Sequence, residues 1–406
     1  MKILLINKFY YRRAGAETAL FETKKILEAA GHQVYVFAMK HPKNEECPEW
    51  RYFADNIDFE QREGWLIELR KWGRSFYSKE VARKLERLIQ ELRPDVAHVH
   101  NFMHQLTPSI FTVLKKYHVP VVQTLHDFQL VSPAYNLQCR HGYCQPAGAW
   151  ETVKGRQLKK SFLVSLWAAI EFKLINWWHC YREKVDLFIA PSVFMRDILV
   201  REGVTQPIEV LANPLHLEDF EPQYMTGSYA VCISRLIAGK GVKTLIRAVE
   251  ELEDIPVKIV GDGPLMAELL HFIEKNHVRN VELLGEKNFG EIADLVRQSR
   301  LAIFPSELGE NNPYGVMEAM AWGKPVIGSQ LGGVPELIAH NSTGWLFEAG
   351  NYHDLRSTIK ENWNQIEAIE EAGQSARKKI EEMNAHYLEN IQRLYSEVLD
   401  KSLPLG

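Results

Sequence analysis

The chain contains no run of apolar residues long enough to cross a bilayer. Its most apolar stretch, SFLVSLWAAI (161–170), ends at Glu171, well short of the roughly 20 residues a spanning helix needs. Low-complexity tracts are missing too: 18 prolines and 25 glycines are dispersed along 406 residues, which excludes collagenous and linker-like classes. Cysteine is scarce. Cys47, Cys139, Cys144, Cys180 and Cys232 make an odd number in a large chain, which favours reduced thiols in a cytoplasmic setting over a disulfide framework. The opening MKILLINKFY has too short an apolar part for a secretory signal and no small-residue cleavage site, so it reads as a strand.

What is present is globular: 46% hydrophobic and 25% charged residues. A chain of this length exceeds one ordinary core and suits two domains. The net charge of −4 is unevenly spread, with 30 Lys+Arg against 23 Asp+Glu in residues 1–210 and 18 against 29 in residues 211–406. A basic half fits an anionic partner, either a membrane surface or a phosphorylated substrate. Ordinary solvated faces account for the same asymmetry.

Short apolar runs recur in both halves. In the first they are KILLIN (2–7), QVYVFAM (33–39), DVAHVH (95–100), VPVVQTL (119–125) and DLFIA (186–190). In the second they are YAVCIS (229–234), VKIV (257–260), VELL (281–284), LAIF (301–304), PVIGS (325–329) and GWLF (344–347). Helical patterns lie between most of them, such as TALFETKKILEAAG closed by Gly31. Near-continuous apolar strands alternating with helices predict parallel sheets covered on both faces. The expected fold class is α/β, with two Rossmann-like doubly wound parallel-sheet domains. Residues 1–210 form the first, 211–222 a polar linker with two prolines, and 223–382 the second; 383–406 are a terminal helix.

Ligands of open α/β sheets bind beyond the carboxyl ends of the strands. Those ends carry Lys8 and a loop to Gly15, then His100 and Asn101, then His126 and Asp127. In the second half they carry Arg235, then Gly261 and Gly263, then Gly285 and Glu286, then residues 307–312. The stretch SELGENNPYGVMEAMAWGKPVIGS (306–329) places two carboxylates, Glu310 and Glu318, around a helix start just after a strand. Asn312 is the expected cap and Pro313 the first helical residue. The N–H groups of Tyr314, Gly315 and Val316 then form an anion site. A carboxylate accepts two hydrogen bonds and so can grip a vicinal diol. Two of them flanking an anion site outline a nucleotide-diphosphate sugar, with Arg235 and Lys240 as countercharge. The VGDGP turn is not G-x-G-x-x-G, and no acidic residue ends the next strand as NAD binding prefers.

The elements AGAE (14–17), LHD (125–127), SRL…GKG (234–241), VGDGP (260–264), the E-x7-E pair Glu310/Glu318 and LGGVPE (331–336) resemble those of retaining glycosyltransferases of family 4, which have the GT-B fold. They span nearly the whole chain. The resemblance implies that Glu310 contacts the donor sugar and Glu318 the nucleotide ribose. Arg235 and Lys240 would hold the diphosphate, with Gly15, Gly261 and Gly263 near it. Glu286 would lie near the base and His126 beside the transferred sugar, while His100, Asn101 and Asp127, from their place at first-domain strand ends, are read as the acceptor side. Two departures stand out: Ala14-Gly15 where the family often has a double glycine, and NNPYG where many members have GFG. The resemblance also implies that the C-terminal helix crosses back onto the first domain.

The chemistry expected from these residues is transfer with retention, in which the leaving phosphate takes the acceptor proton. No D-x-D motif occurs, so no metal and no cofactor beyond the nucleotide-sugar donor is expected. The acceptor is a saccharide or a lipid-linked saccharide of surface glycan synthesis. Other GT-B enzymes, a nucleotide-sugar epimerase or a sugar-phosphate synthase, carry similar motifs, as does a catalytically silent nucleotide-sugar-binding subunit. A zinc clip at Cys139, His141 and Cys144, with His179 and Cys180 further on, competes with free thiols in an acceptor loop. Two stretches, 62–89 and 153–178, mix Lys and Arg with Trp. Such surfaces lie on anionic lipid or are packing helices with snorkelling lysines. The expected setting is cytoplasmic, peripheral on the inner membrane face, with no nucleic-acid partner.

Overall fold

A computed structural model describes residues 1–56, 77–135, 137–140, 143–155, 158, 161–177, 182–225 and 227–402. Most of the first Lys/Arg/Trp stretch, and His141, His179 and Cys180 of the zinc alternative, lie outside the described residues.

Two six-stranded parallel sheets organise the chain. The first contains β1 (Lys2–Ile6), β2 (Gln33–Phe37), β3 (Val96–Val99) and β4 (Val121–Thr124). A separate antiparallel hairpin of β5 (Leu137–Arg140) and β6 (Tyr143–Pro146) follows, before the sheet resumes with β7 (Leu187–Ala190) and β8 (Ile208–Val210). The second contains β9 (Ala230–Ile233), β10 (Val257–Val260), β11 (Val281–Leu283), β12 (Leu301–Phe304), β13 (Val326–Ser329) and β14 (Gly344–Phe347). The orders are β2-β1-β3-β4-β7-β8 and β11-β10-β9-β12-β13-β14. In each sheet the strand order reverses once, between β1 and β3 and between β9 and β12. Those reversals open crevices at the carboxyl ends of the strands.

The strands are apolar on both faces because helices cover both. Residues Ile3, Leu4, Leu5 and Ile6 of β1 are all 0% exposed. Alternate ones enter different cores: Leu4 and Ile6 one, Ile3 and Leu5 another. The hairpin and β8 escape the sequence pattern because none has a continuous apolar run; β8 is IEV, with its glutamate exposed.

The last helix, Ile366–Ser402, joins the two domains. Ala376 and Ile380 pack in a second-domain core, while Tyr387, Ile391, Leu394 and Tyr395 are buried with Ile3 and Leu5 of the first. Its polar groups are placed as well: Tyr387 bonds Thr23 at 2.9 Å and Tyr395 bonds His98 at 2.7 Å.

One cysteine expectation is corrected. Cys144 is disulfide-bonded, and the hairpin register sets Cys139 opposite Cys144. A disulfide sulfur is not a thiolate, so Cys144 cannot serve the zinc clip. Cys47 and Cys232 are free.

Candidate active site

The second-domain reversal carries the expected cluster. After β9, Arg235 is exposed, and the chain turns through Gly239 and Gly241 at φ 86° and 69°. A Cβ at Gly241 would sit 1.7 Å from the Pro305 carbonyl oxygen, so only glycine lets this turn lie against the end of β12. That contact delivers Lys240 to the segment after β12. Its Nζ lies 2.5 Å from Glu310 Oε1, and Ser306 Oγ donates to the same oxygen at 2.9 Å. Ser306 was not foreseen. It is only 1% exposed, and its hydroxyl also accepts the Leu308 N–H. Gly261, at φ 134°, and Gly263 back onto the Ser234 and Leu236 carbonyl oxygens, where a Cβ would come within 2.0 and 2.4 Å. They are packing glycines beneath Arg235. Glu286 is exposed at the rim, beyond Gly285, whose carbonyl accepts the Gly261 N–H.

The helix after β12 runs Tyr314–Ala321, and Pro313, not Asn312, occupies the cap position with no side-chain bond to the first turn. Asn312 is diverted by the linker: its Oδ1 accepts the Asn213 N–H and its carbonyl accepts Asn213 Nδ2. The expectation of an asparagine cap is therefore corrected. Val316 N–H is also partly used, bonding the Pro313 carbonyl at 3.1 Å, which leaves Tyr314 and Gly315 as the amides facing outward. Tyr314 is buried and its hydroxyl donates to the Pro214 carbonyl. Glu318, one turn further in, has its carboxyl pushed up to about 7 by burial, with Glu22 adding to the rise and Arg12 opposing it. Glu22 and Arg12 come from the first domain and bond one another at 3.1 Å.

Across the seam, the first-domain strand ends meet this cluster. Gly15 opens the helix Gly15–Ala29, and a Cβ there would lie 3.5 Å from the Tyr314 ring. Asn311 Nδ2 donates to the Leu125 carbonyl at 3.2 Å, and Asn311 Oδ1 accepts from Ser192 Oγ at 2.5 Å. The residue after Leu125 is His126 and the residue before Asn311 is Glu310. The two domains are therefore stitched together directly beside both. Glu336 of LGGVPE strengthens the seam by accepting the Val193 and Phe194 N–H groups at the start of the helix Val193–Arg201.

His126 is one of three stacked histidines. Its Nε2 lies 2.8 Å from His100 Nδ1, with the rings 11° from parallel, and His100 stacks in turn on His98. Burial pushes His126 and His98 down to about 3 and holds His100 well below its ordinary value. All three are neutral near pH 7, so His126 offers a hydrogen bond and not a charge. His100 is 1% exposed and lies behind His126. Asn101 is spent on the backbone: its N–H donates to Asn7 Oδ1 and its carbonyl accepts the Lys8 N–H. Asp127 accepts the Gln129 N–H, and burial raises its carboxyl, opposed by that bond and by Lys8. Lys8 itself, between Asp127 and Glu17, is lowered by burial. The sequence places Lys8 at the carboxyl end of β1 but gives it no role.

Three left-handed non-glycine residues lie on the segments that follow β3 and β4: His104 at φ 68°, Thr107 at 61° and Tyr135 at 63°. Each costs of order 1–3 kcal/mol, and such residues cluster at functional surfaces. His104 Nε2 and the Tyr135 hydroxyl hold one another at 2.6 Å. Among the described residues, no group of three His, Cys, Asp or Glu side chains is arranged to hold a metal ion.

Two doubly wound sheets, with Arg235 and Lys240 at one reversal and a histidine wall at the other, have the GT-B architecture. The chain belongs to glycosyltransferase family 4, a retaining family. The model of that family matches residues 13–219, and the "Glycosyl transferases group 1" model matches 218–379. An uncharacterized glycosyltransferase of Methanocaldococcus jannaschii is 30% identical over 222 residues, 54% of this chain and 59% of that protein. N-acetyl-alpha-D-glucosaminyl L-malate synthase of Bacillus anthracis is 24% identical over 80% of both chains. The amylovoran biosynthesis glycosyltransferase AmsK of Erwinia amylovora is 29% identical over 55% of this chain and 52% of that one. The matches thus span little more than half the length of two of these relatives. Among solved structures, sucrose-phosphate synthase of Thermosynechococcus elongatus superposes with TM-score 0.71 at 16% identity, covering 98% of this chain and 99% of that one. HepE of Anabaena, solved with UDP and glucose, superposes with TM-score 0.66 at 18% identity, covering 97% and 100%.

Proposed function

We propose that the protein transfers a sugar, with retention of configuration and without a required metal, from a nucleotide-diphosphate sugar to a saccharide or lipid-linked saccharide acceptor. The observation that carries this reading is the stitching of Asn311 to the Leu125 carbonyl, which sets the segment of Glu310 against the segment of His126.

In this reading the diphosphate binds at the second reversal, between Arg235, Lys240 and the outward amides of Tyr314 and Gly315. Glu318 accepts the ribose hydroxyls and Glu310 the donor-sugar hydroxyls. The bond from the anomeric carbon to the phosphate oxygen breaks while the acceptor oxygen bonds the same face. The acceptor proton passes to the departing phosphate oxygen. Arg235, Lys240 and the helix amides stabilise the negative charge that grows on the leaving group. His126, neutral and braced by His100, orients the sugar. On the acceptor side, Asp127 and Lys8 stand beside it.

Surface glycan synthesis fits the Erwinia relative, whose name assigns it to amylovoran biosynthesis. A lipid-linked acceptor fits the helical excursion between β6 and β7, where Trp150, Phe162, Leu163 and Ile170 are exposed. Among the described residues no helix is long and apolar enough to cross a membrane. Attachment in this reading is peripheral, at the inner face.

The test is a thermal-shift screen in EDTA with UDP-, GDP-, ADP- and TDP-sugars. One class is expected to raise the melting temperature, since a ligand at a hundred times its Kd adds about 2.7 kcal/mol. No shift with any of them, or a shift only on adding Mg²⁺ or Mn²⁺, overturns the reading.

A further inference from the structure

Glu310 is clamped along its backbone. Its N–H donates to the Leu308 carbonyl at 2.8 Å, and its carbonyl accepts the Gly333 N–H at 2.7 Å. At Gly332, with φ 65°, a Cβ would lie 2.4 Å from that same carbonyl oxygen, so glycine lets the LGGVPE turn close over it.

The side chain is held as well, at one oxygen. Lys240 Nζ and Ser306 Oγ both donate to Oε1, at 2.5 and 2.9 Å. Oε2 makes no hydrogen bond among the described residues and is not buried. A carboxylate fixed through one oxygen presents the other in a set direction, where it accepts from a ligand hydroxyl.

The two donors respond differently to a ligand. Lys240 has 17% of its side chain exposed, and its ammonium is a point charge on a flexible stem. A diphosphate beside it competes with Glu310 for it. Ser306 offers no such exchange, being 1% exposed. Its hydroxyl accepts the Leu308 N–H at 3.3 Å, which leaves its single hydrogen to be donated. Of two acceptors within reach, Glu310 Oε1 at 2.9 Å is nearer than the Gly239 carbonyl at 3.5 Å.

We propose that Ser306 is a positioning residue of the sugar transfer: its hydroxyl keeps Glu310 Oε1 in place when the diphosphate takes Lys240, so that Oε2 stays aimed at the donor sugar. The inference rests on the glycosyltransferase reading above. No bond to the substrate forms at Ser306. It acts through Glu310 alone, by holding the carboxylate in one rotamer while positive charge grows at the anomeric carbon. Without it, Glu310 is held only by a lysine that the substrate also needs.

The test uses the full chain and measures release of the nucleoside diphosphate without acceptor, water taking the acceptor's place. The probes are UDP-glucose, UDP-galactose, UDP-N-acetylglucosamine, GDP-mannose, ADP-glucose and TDP-glucose. With the probe that the wild type turns over fastest, Ser306→Ala is expected to lower kcat about tenfold, the scale of one lost hydrogen bond to a charged group, and to change KM less. Should that variant fail to fold, Ser306→Cys serves, since a thiol is only a weak donor, and the same split is expected. A double-mutant cycle separates positioning from a general structural role. Added to Glu310→Ala, Ser306→Ala is expected to lower kcat no further, because the side chain it acts through is gone. An unchanged kcat in the single variant, a change confined to KM, or an equal loss of kcat with and without the Glu310 side chain overturns the positioning role. Failure of the wild type to turn over any of the six probes instead overturns the glycosyltransferase reading on which it rests.

Discussion

Lys240 Nζ and Glu310 Oε1, 2.5 Å apart, hold one another across the turn between β9 and the segment after β12. The cation read as a phosphate ligand and the carboxylate read as a sugar ligand are each other's partner. Both are only partly exposed, at 17% and 19% of their side chains, so neither is fully solvated when alone. A bound donor offers each a new partner. The pair thus keeps two desolvated charges compensated and correctly placed before the ligand arrives.

Lys240→Ala and Arg235→Ala are each expected to weaken binding of UDP or GDP, whichever the protein prefers. A charge-assisted contact is worth roughly 1.5–3 kcal/mol, or about ten- to a hundredfold in Kd. Lys240→Ala should also cost thermal stability, because it leaves Glu310 without its cation and with only the Ser306 hydroxyl on that oxygen, whereas exposed Arg235 has no ion pair among the described residues to lose. Titration calorimetry and melting curves of both variants check this; equal Kd values in mutant and wild type refute the phosphate assignment.

Glu310→Gln is expected to lower kcat more than it raises the donor KM. Glutamine retains the size and one acceptor oxygen of glutamate but removes the charge. Positive charge grows at the anomeric carbon only in the transition state, so a nearby carboxylate acts mainly there. Steady-state kinetics with the donor found by thermal shift decide it, a pure KM effect being the contrary result.

Glu318 makes donor affinity depend on pH. Its carboxyl titrates at about 7, because burial and Glu22 raise it. Below that pH it is protonated and loses acceptor capacity for the ribose, so the donor KM should rise as pH falls through 7. Glu318→Gln should raise KM at pH 8 and flatten the profile. Stability carries the opposite sign. The folded state holds this proton up to about 7 and the unfolded state only to about 4.5, so stability falls as pH rises between the two values. Glu318→Gln should therefore raise the melting temperature more at pH 8 than at pH 5.

Glu336→Ala is expected to loosen the domain seam. Its carboxylate accepts both leading amides of the helix Val193–Arg201 from the other domain, at 2.8 and 2.7 Å. Losing such a cap costs about 0.5–2 kcal/mol, and the favourable charge at the helix start goes with it. Small-angle scattering should show a larger radius of gyration than in the wild type, and UDP should restore the smaller one. Identical scattering in both proteins would assign Glu336 no part in closure.

The excursion between β6 and β7 is expected to bind vesicles containing anionic lipid at low salt and to release them as salt rises, since charges on a surface are screened over about 8 Å at physiological ionic strength. Trp150→Ser and Leu163→Ser should reduce flotation, because both side chains are exposed, at 75% and 64%. Equal flotation of the double variant and the wild type would return these residues to ordinary surface.

Much of this molecule is legible along the chain. Eleven apolar runs foretell strands, because a strand buried on both faces must be apolar throughout, whatever it packs against. The glycines at 239, 241 and 261 mark turns, because only glycine tolerates their backbone angles and close contacts. Glu310 and Glu318 are legible from their spacing around a helix start. The sequence misled at Asn312 and at Cys144, and for one reason. A side chain's partner is chosen in space, and Asn213 and the hairpin strand compete with the local partner that spacing suggests. Ser306, Glu22 and Arg12 carried no local signal at all. By itself the sequence determined the two parallel sheets and the residues at their strand ends, because burial and backbone geometry act on each segment separately. Which of those ends meet, that Lys240 pairs with Glu310 and that Glu22 reaches Glu318 from the other domain were decided only by the tertiary structure. Each of these depends on contacts between residues 70 or more positions apart, or on solvent being excluded by elements that no local window contains.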